Sequence, residues 1–306
     1  MSSGTVTTMT DSWGRWGHED ERGALNLITP DRTVAAAHSV RTGQVYPLGL
    51  PIQREGVPVF AYRGPSQRLT LTTEHDEHRW AAAGAPQGAG ANADLLITPT
   101  HNGTHIDALS HVFDDHRVYN GFPSSSFTPS DGAHRCGIDK VGGIVGRGVV
   151  LDVAAAANVD HLPETAAVTA DMLKAGEVMA GVQVGRGDIV LVHTGWLRHY
   201  LDGVREGYSV PLDRTPGLDM GGARYLADRD IAAVGADNPA VEVLGRDGDE
   251  FIEVHREMIT KRGISFIELL DLREPVADNA YAGMFIAAPL RITGGSGSPV
   301  NPLFVV

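Results

Sequence analysis

After residue 20, short apolar runs and capped helical stretches alternate as far as Val305, and no linker-like segment interrupts them. That interleaving constrains the fold more than any compositional figure. Strands grouped together would give a sandwich and helices grouped together a bundle, whereas alternation specifies layered α/β architecture. Thr29-Pro30-Asp31 combines a hydroxyl N-cap, proline in the first turn and an acid beside it, so a helix is predicted to about residue 40, ending near Gly43. Helices are also predicted from Thr169 to about residue 179, over 220–228, and over 250–261, closed by Gly263. Strands are expected at 44–50, 57–62, 95–98, 148–153, 189–193, 231–236 and 264–270, with 281–292 and 303–305 pairing around a Gly/Ser turn. Residues 81–93, rich in Ala and Gly and without period, read as a loop, either a lid or a disordered stretch. The Ser/Thr-rich residues 1–12 read as a disordered lead-in and 13–306 as one domain.

Composition narrows the class. A chain of 306 residues that is 42% hydrophobic and 21% charged can bury a large core and is too apolar for a disordered protein. No window reaches the ~18 uninterrupted apolar residues of a membrane span. The net charge of −13 argues against nucleic acid and against anionic membranes as partners. A single cysteine, Cys136, permits no intrachain disulfide, which suits a reducing cytoplasm. The 13 histidines are the feature that invites chemistry.

Four groups of metal-ligand type share one parity in His101-Asn102-Gly103-Thr104-His105-Ile106-Asp107-Ala108-Leu109-Ser110-His111. Imidazole and carboxylate together suit zinc or manganese. A straight strand would hold His101 and His105 ~13 Å apart at ~3.3 Å per residue, too far for one ion. The chain must therefore bend, and Gly103 can supply the bend, while Gly103, Thr104 and Ile106 all disfavour a helix. A histidine-rich loop with incidental spacing is the bland alternative.

This motif resembles the signature of the cyclase family that includes bacterial kynurenine formamidase and isatin hydrolase. Similarity continues through His255, Gly263-Ile264, residues 267–272 and the stretch from Ala288 to Val300, and Trp16-Gly17 with Gly23-Ala24-Leu25-Asn26 resembles a longer branch of the family. The resemblance implies an α/β fold of swivelling β/β/α type, a mixed sheet with flanking helices. It further implies that His101, His105 and Asp107 bind a divalent metal, zinc or manganese, and that His111 transfers protons. His255 and Glu268 match positions that complete a second metal site, so one or two ions are expected. A homodimer or homotetramer is also implied. Where the formamidases carry proline and a bulky residue, this chain has Ala108-Leu109-Ser110, which argues against formylkynurenine as substrate.

The expected activity is hydrolysis of a small molecule, a cyclic amide, imide, lactone or N-formyl amide, by metal-activated water with a histidine acid/base. Two rivals stand beside it: a metal-dependent cyclase or dehydratase on a polyketide-like substrate, and a non-catalytic binding protein stabilised by metal. Trp196, just past one apolar strand, and Asn238, just past another, are candidates for the substrate-binding wall. Glu242 follows the same strand end as Asn238.

Overall fold

The computed structural model describes residues 11–306. The expected lead-in lies outside the described residues as far as residue 10; Ser12, at its end, is buried and its hydroxyl donates to Arg262 O at 2.8 Å. Among the described residues, nine strands form one sheet: β1 (Val45–Pro47), β2 (His105–Asp107), β3 (Ile144–Asp152), β4 (Ile189–His193), β5 (Ala233–Ala236), β6 (Ser265–Glu268), β7 (Ala282–Ala287), β8 (Gly297–Pro299) and β9 (Leu303–Val305). Their order across the sheet is β1-β9-β7-β3-β4-β5-β6-β2-β8. The middle four run parallel, and antiparallel strands flank them on both sides. The mixed sheet with flanking helices expected from the sequence is therefore present.

Apolar runs at the centre follow from burial on both faces. Val149, Leu151, Val190 and Val192 face one core, while Val150, Ile189 and Leu191 face the other. Strand period two sends alternate residues to opposite sides. The first core is closed by the helices Ala170–Ala180 and Met220–Ala227, through Leu173, Ala223 and Leu226. Thr169 caps the former, its Oγ1 accepting from Met172 N, and Gly181 ends it in the left-handed conformation. Each Val, Leu or Ile buried this way stabilises the fold by about 1.5–3 kcal/mol.

Several local expectations are corrected. Residues 57–62 form no strand: Pro58 removes a ladder donor, and Phe60 and Tyr62 turn to a cavity instead. Residues 81–93 are not a structureless loop throughout; they complete the helix Glu77–Ala82, turn, and open the strand Ala93–Ile97, and none lines that cavity. The Gly/Ser turn near the C-terminus contains a strand, β8, paired with β2. The helix Trp196–Glu206 was not foreseen, because its N-cap is Gly195 in the left-handed region and offers no hydroxyl signal. The helix predicted over 250–261 starts late, at Glu253, and after His255 becomes a π-helical turn, Arg256–Lys261.

Candidate metal centre

Strand register builds the site. In β2, His105 and Asp107 stand two residues apart and so project to one face, while Ile106 goes to the opposite core. The neighbouring β6 sets Glu268 directly beside His105. On the other side β8 sets Gly297 beside Asp107. A Cβ at 297 would lie 2.6 Å from His101 Nε2 and 2.9 Å from Ile106 O, so only glycine leaves room for the His101 ring. The bend that the spacing demands occurs at Gly103, with φ +61°, and brings the His101 and His105 rings to 5.2 Å between centroids. Thr104 fastens this bend: its hydroxyl donates to Leu269 O at 2.6 Å and accepts from Leu50 N at 2.8 Å.

His255 reaches the cluster from its helix. Glu242, buried at the end of a turn after β5, accepts from Val254 N (2.7 Å) and His255 N (3.1 Å), which explains why the helix begins there. Its other oxygen lies 3.2 Å from His255 Nδ1. Val241, Ile252 and Leu269, all non-glycine, hold positive φ at 58°, 40° and 55°. Each adjoins or nearly adjoins Glu242, His255 or Glu268, the placing expected of backbone strain retained at a working site.

The side chains converge on the carboxylates. His101 Nε2 lies 3.3 Å and His105 Nε2 3.6 Å from Asp107 Oδ1. His105 Nε2 is also 3.2 Å from Glu268 Oε2, and His255 Nε2 is 3.4 Å from Glu268 Oε1. His111 stacks on His101 at 4.0 Å. Ligand atoms of His101, Asp107 and His111 lie within 4.8 Å of one another, as do those of His105, Asp107 and Glu268. All six residues singled out from the sequence for metal binding or proton transfer are thus brought together.

Buried polar groups normally find hydrogen-bond partners. Here His101 Nε2, His105 Nε2 and both oxygens of Asp107 find none. His105 Nδ1 donates to Gly103 O at 2.8 Å, which in the neutral ring leaves Nε2 as an acceptor facing two carboxylates. Lone pairs facing negative oxygens repel, and a cation between them removes the conflict. The donor set fits a divalent metal ion.

Without a cation the groups of the cluster shift one another: burial opposes a charge on His105, but Glu268 and Asp107 outweigh it and raise its pKa. Burial lowers the His101 pKa to about 2, with His111 and His105 adding to the effect. His111 is lowered as well, chiefly by burial. Burial raises Asp107, and Glu268 adds to it, against the pull of the nearby histidines. For Glu268 burial is outweighed by His105 and His255, which hold it well below the ordinary carboxylate range. Burial opposes a charge on His255, yet Glu242 and Glu268 outweigh it and raise its pKa to about 10.

A cavity of about 680 Å³ opens above this cluster. His111, His255 and Glu268 lie in its wall, with Phe60, Tyr62, Phe113, Pro239, Leu244, Phe251 and Ile252 making most of the surround and Arg63, Asp114, Asp115, His116 and Arg256 adding polar groups. The aromatic rim was missed from the sequence, because its members sit outside any periodic element. Trp196 and Asn238 do not line it. Trp196 is buried against Tyr200, and Asn238 holds its own loop through Pro216 O and Val241 N. Glu242 also lies behind the wall, where it contacts His255.

The family model described as "Putative cyclase" matches residues 48–243, a stretch that contains the whole His101–His111 motif. The chain belongs to this cyclase family. A solved structure described as a novel cyclase superposes with a TM-score of 0.86 at 30% identity, covering 97% of this chain and 99% of that one. Cyclase-like protein 3 of Oryza sativa subsp. japonica is 27% identical over 229 residues, 74% of this chain and 70% of that protein. Isatin hydrolase of Roseibium aggregatum is 27% identical over 261 residues, 81% of this chain and 84% of that protein. The matched relatives thus include a protein named isatin hydrolase, and this member of the family carries a buried His/Asp/Glu cluster. Among the described residues no helix is long and apolar enough to cross a membrane.

Proposed function

We propose that this chain is a metal-dependent hydrolase that opens an amide or lactone bond of a small, largely apolar substrate. The unpartnered nitrogens and oxygens of His101, His105 and Asp107, beneath a cavity into which His111, His255 and Glu268 face, carry this reading. His101, His105 and Asp107 would hold a first ion, and His255 and Glu268 would complete a second position beside it. The ion is zinc or manganese. When bound, such a cation makes water acidic enough to ionise near neutral pH and polarises a carbonyl.

The chain's own residues do the rest. Water adds to the substrate carbonyl carbon, and His111 takes the proton that water gives up. The carbon–nitrogen or carbon–oxygen bond then breaks, and His111 returns that proton to the leaving atom. Apolar walls orient the carbonyl toward the cluster and exclude competing water. Glu242 holds the backbone and ring of His255 from behind.

The test is elemental analysis of protein purified without added metal, followed by a panel of cyclic amides, imides, lactones and N-formyl anilines. Chelation should abolish turnover, and zinc or manganese should restore it. Release of water in place of its consumption would move the activity to a cyclase or dehydratase. Absence of turnover across the panel with metal bound would favour a binding protein.

A further inference from the structure

Two arginines, Arg63 and Arg256, stand in the cavity wall, and they differ in what holds them. Arg256 is closed off by the protein, paired with Asp114 at 3.0 Å and with Glu250 at 3.0 Å. Among the described residues Arg63 makes one side-chain hydrogen bond, from Nη1 to His101 O at 2.6 Å, and no ion pair. Acids outnumber bases in this chain by 38 to 25, so a guanidinium without a carboxylate is not the default. Most of its N–H groups therefore lack an acceptor in the described protein. They are not sealed inside, as the unbonded oxygens of Asp107 are, and so they open on the cavity.

Local structure fixes this cation. Arg63 N donates to Phe60 O at 3.0 Å and closes a turn. The guanidinium carbon lies 5.3 Å from the Phe60 ring centre and 5.4 Å from that of Tyr62. Asn102 Nδ2 donates to Gly64 O at 2.7 Å, and Ser66 Oγ bonds Thr98 Oγ1 at 2.7 Å. The segment after Arg63 is thereby fastened to the chain that carries the histidine motif. A guanidinium set against aromatic rings is weakly hydrated, and its planar fork is already shaped for an oxyanion. Little freedom remains to be lost when one binds.

We propose that Arg63 sets the substrate specificity of this site by taking a carboxylate carried close to the bond that is cleaved; this rests on the hydrolase reading. The substrate class is then an acid whose ring or chain also bears the amide or lactone, such as an acylaminobenzoate. The other charges of the wall leave room for it. Asp114 is matched by Arg256 and Lys261, and with Asp115 it lies where the cavity adjoins a second hollow lined by Lys261 and Arg262. Glu268 is engaged by His105 and His255. Arg63 lies at a different margin, beside a small gap lined by His101, Asn102 and His105. A carboxylate there stands apart from Asp115 and next to the backbone of a candidate metal ligand, with Phe60 and Tyr62 beside it for an apolar ring.

Calorimetric titration of the metal-loaded chain with benzoate and with benzamide tests this without any turnover. Wild type should bind benzoate at least ~10-fold more tightly than benzamide, the yield of one charge-assisted contact. Arg63→Met should lose that preference and keep its metal. A wild type with no preference overturns the proposal. So does a preference that survives in Arg63→Met, since the ion or another group then holds the carboxylate. In turnover, Arg63→Met should lose at least ~10-fold more kcat/KM on a ring-carboxylated formanilide than on formanilide itself. Equal losses on the two would reduce Arg63 to a support for the His101 backbone and end the proposal. If nothing is hydrolysed at all, the hydrolase reading fails while the benzoate titration still decides the role of Arg63. Should Arg63→Met not fold, labelling of wild type with phenylglyoxal decides: benzoate protects Arg63 from the reagent and benzamide does not, or the proposal falls.

Discussion

Two buried histidine–carboxylate clusters lie toward the same end of the sheet, and they are completed differently. At the ends of β3 and β4, His193 Nδ1 bonds Asp152 Oδ1 at 2.8 Å, and that oxygen also accepts from Ala155 N. Beside them Asp237 Oδ1 accepts from both the amide and the hydroxyl of Thr194. One oxygen, Asp237 Oδ2, is left 3.9 Å from His193 Nε2. In the other cluster, around β2 and β6, five atoms of four side chains, those of His101, His105, Asp107 and His255, lack any hydrogen-bond partner. Both regions bury imidazole beside carboxylate. The first is bonded within the protein at all but Asp237 Oδ2; the second leaves most of its polar atoms facing one another unbonded, as the proposed metal site requires. Unsatisfied polarity, more than the presence of histidine and aspartate, separates a binding site from a structural network.

The sharpest way to break this contrast is to remove the carboxylate both ligand groups share. Asp107→Ala should lose all bound metal and all turnover, because each cluster depends on that side chain. Elemental analysis of the purified variant checks it, and stoichiometric metal retained without Asp107 would end the assignment. Next in size comes His111→Ala, expected to keep its metal while turnover falls ~10²–10⁴-fold, the usual contribution of a positioned acid/base. His111 lies close enough to His101 and Asp107 to serve as a ligand. A metal content that drops together with turnover would therefore transfer it from proton carrier to ligand.

Much of this centre was legible because ligand chemistry is local. Residues 101–111 hold four of its side chains, and the need to bring His101 toward His105 required the turn found at Gly103. The helix opened by Pro30 and the helix capped by Thr169 were equally readable, since prolines and caps act through neighbours in sequence, although the Thr29 hydroxyl makes no cap bond. His255 and Glu268 could be placed only through family resemblance, because strand register brings Glu268 to His105 across more than 160 positions. Gly297 was read as part of a turn, because its purpose, room for the His101 ring, exists only after folding. Trp196 illustrates the reverse error. An aromatic residue past a strand end suggested a pocket wall, and a helix with no side-chain cap turned it inward.

On the structural side of the comparison, His193→Gln should leave metal content and metal affinity unchanged while lowering stability by about 3 kcal/mol, as loss of one partner from a buried ion pair does. The sign of its pH dependence follows from the pair. Burial opposes the His193 charge, but Asp152 and Asp237 outweigh it and raise its pKa above the ordinary 6.5. Burial likewise opposes the charge on Asp152, and His193 outweighs it, holding Asp152 below 3.8. The histidine's contribution is complete below its unfolded pKa and fades as pH rises through the folded value; the aspartate's is complete above 3.8 and fades as pH falls through its lowered value. Unfolding of wild type and variant should therefore differ most between about pH 4 and 6.5. A difference that grows toward pH 9 would show that the imidazole is neutral in the fold.

The smallest effect falls on the boundary between the two kinds of region. Glu242 is closed on one side, where one oxygen accepts from two helix amides, and on the other faces His255 of the proposed metal site. Glu242→Gln can keep the amide contacts through its carbonyl oxygen, so thermal unfolding should scarcely move. The charge beside His255 Nδ1 is lost, however, and with it the interaction that favours a proton on Nδ1 and a free lone pair on Nε2, toward Glu268. Groups that orient a ligand from behind are worth ~10–100-fold in metal affinity. Competition with a chelator should show a loss in that range for Glu242→Gln, affecting the ion nearest His255 first. Unchanged affinity with unchanged stability would assign Glu242 to the helix start alone and place it with Asp152, among carboxylates that serve only the fold.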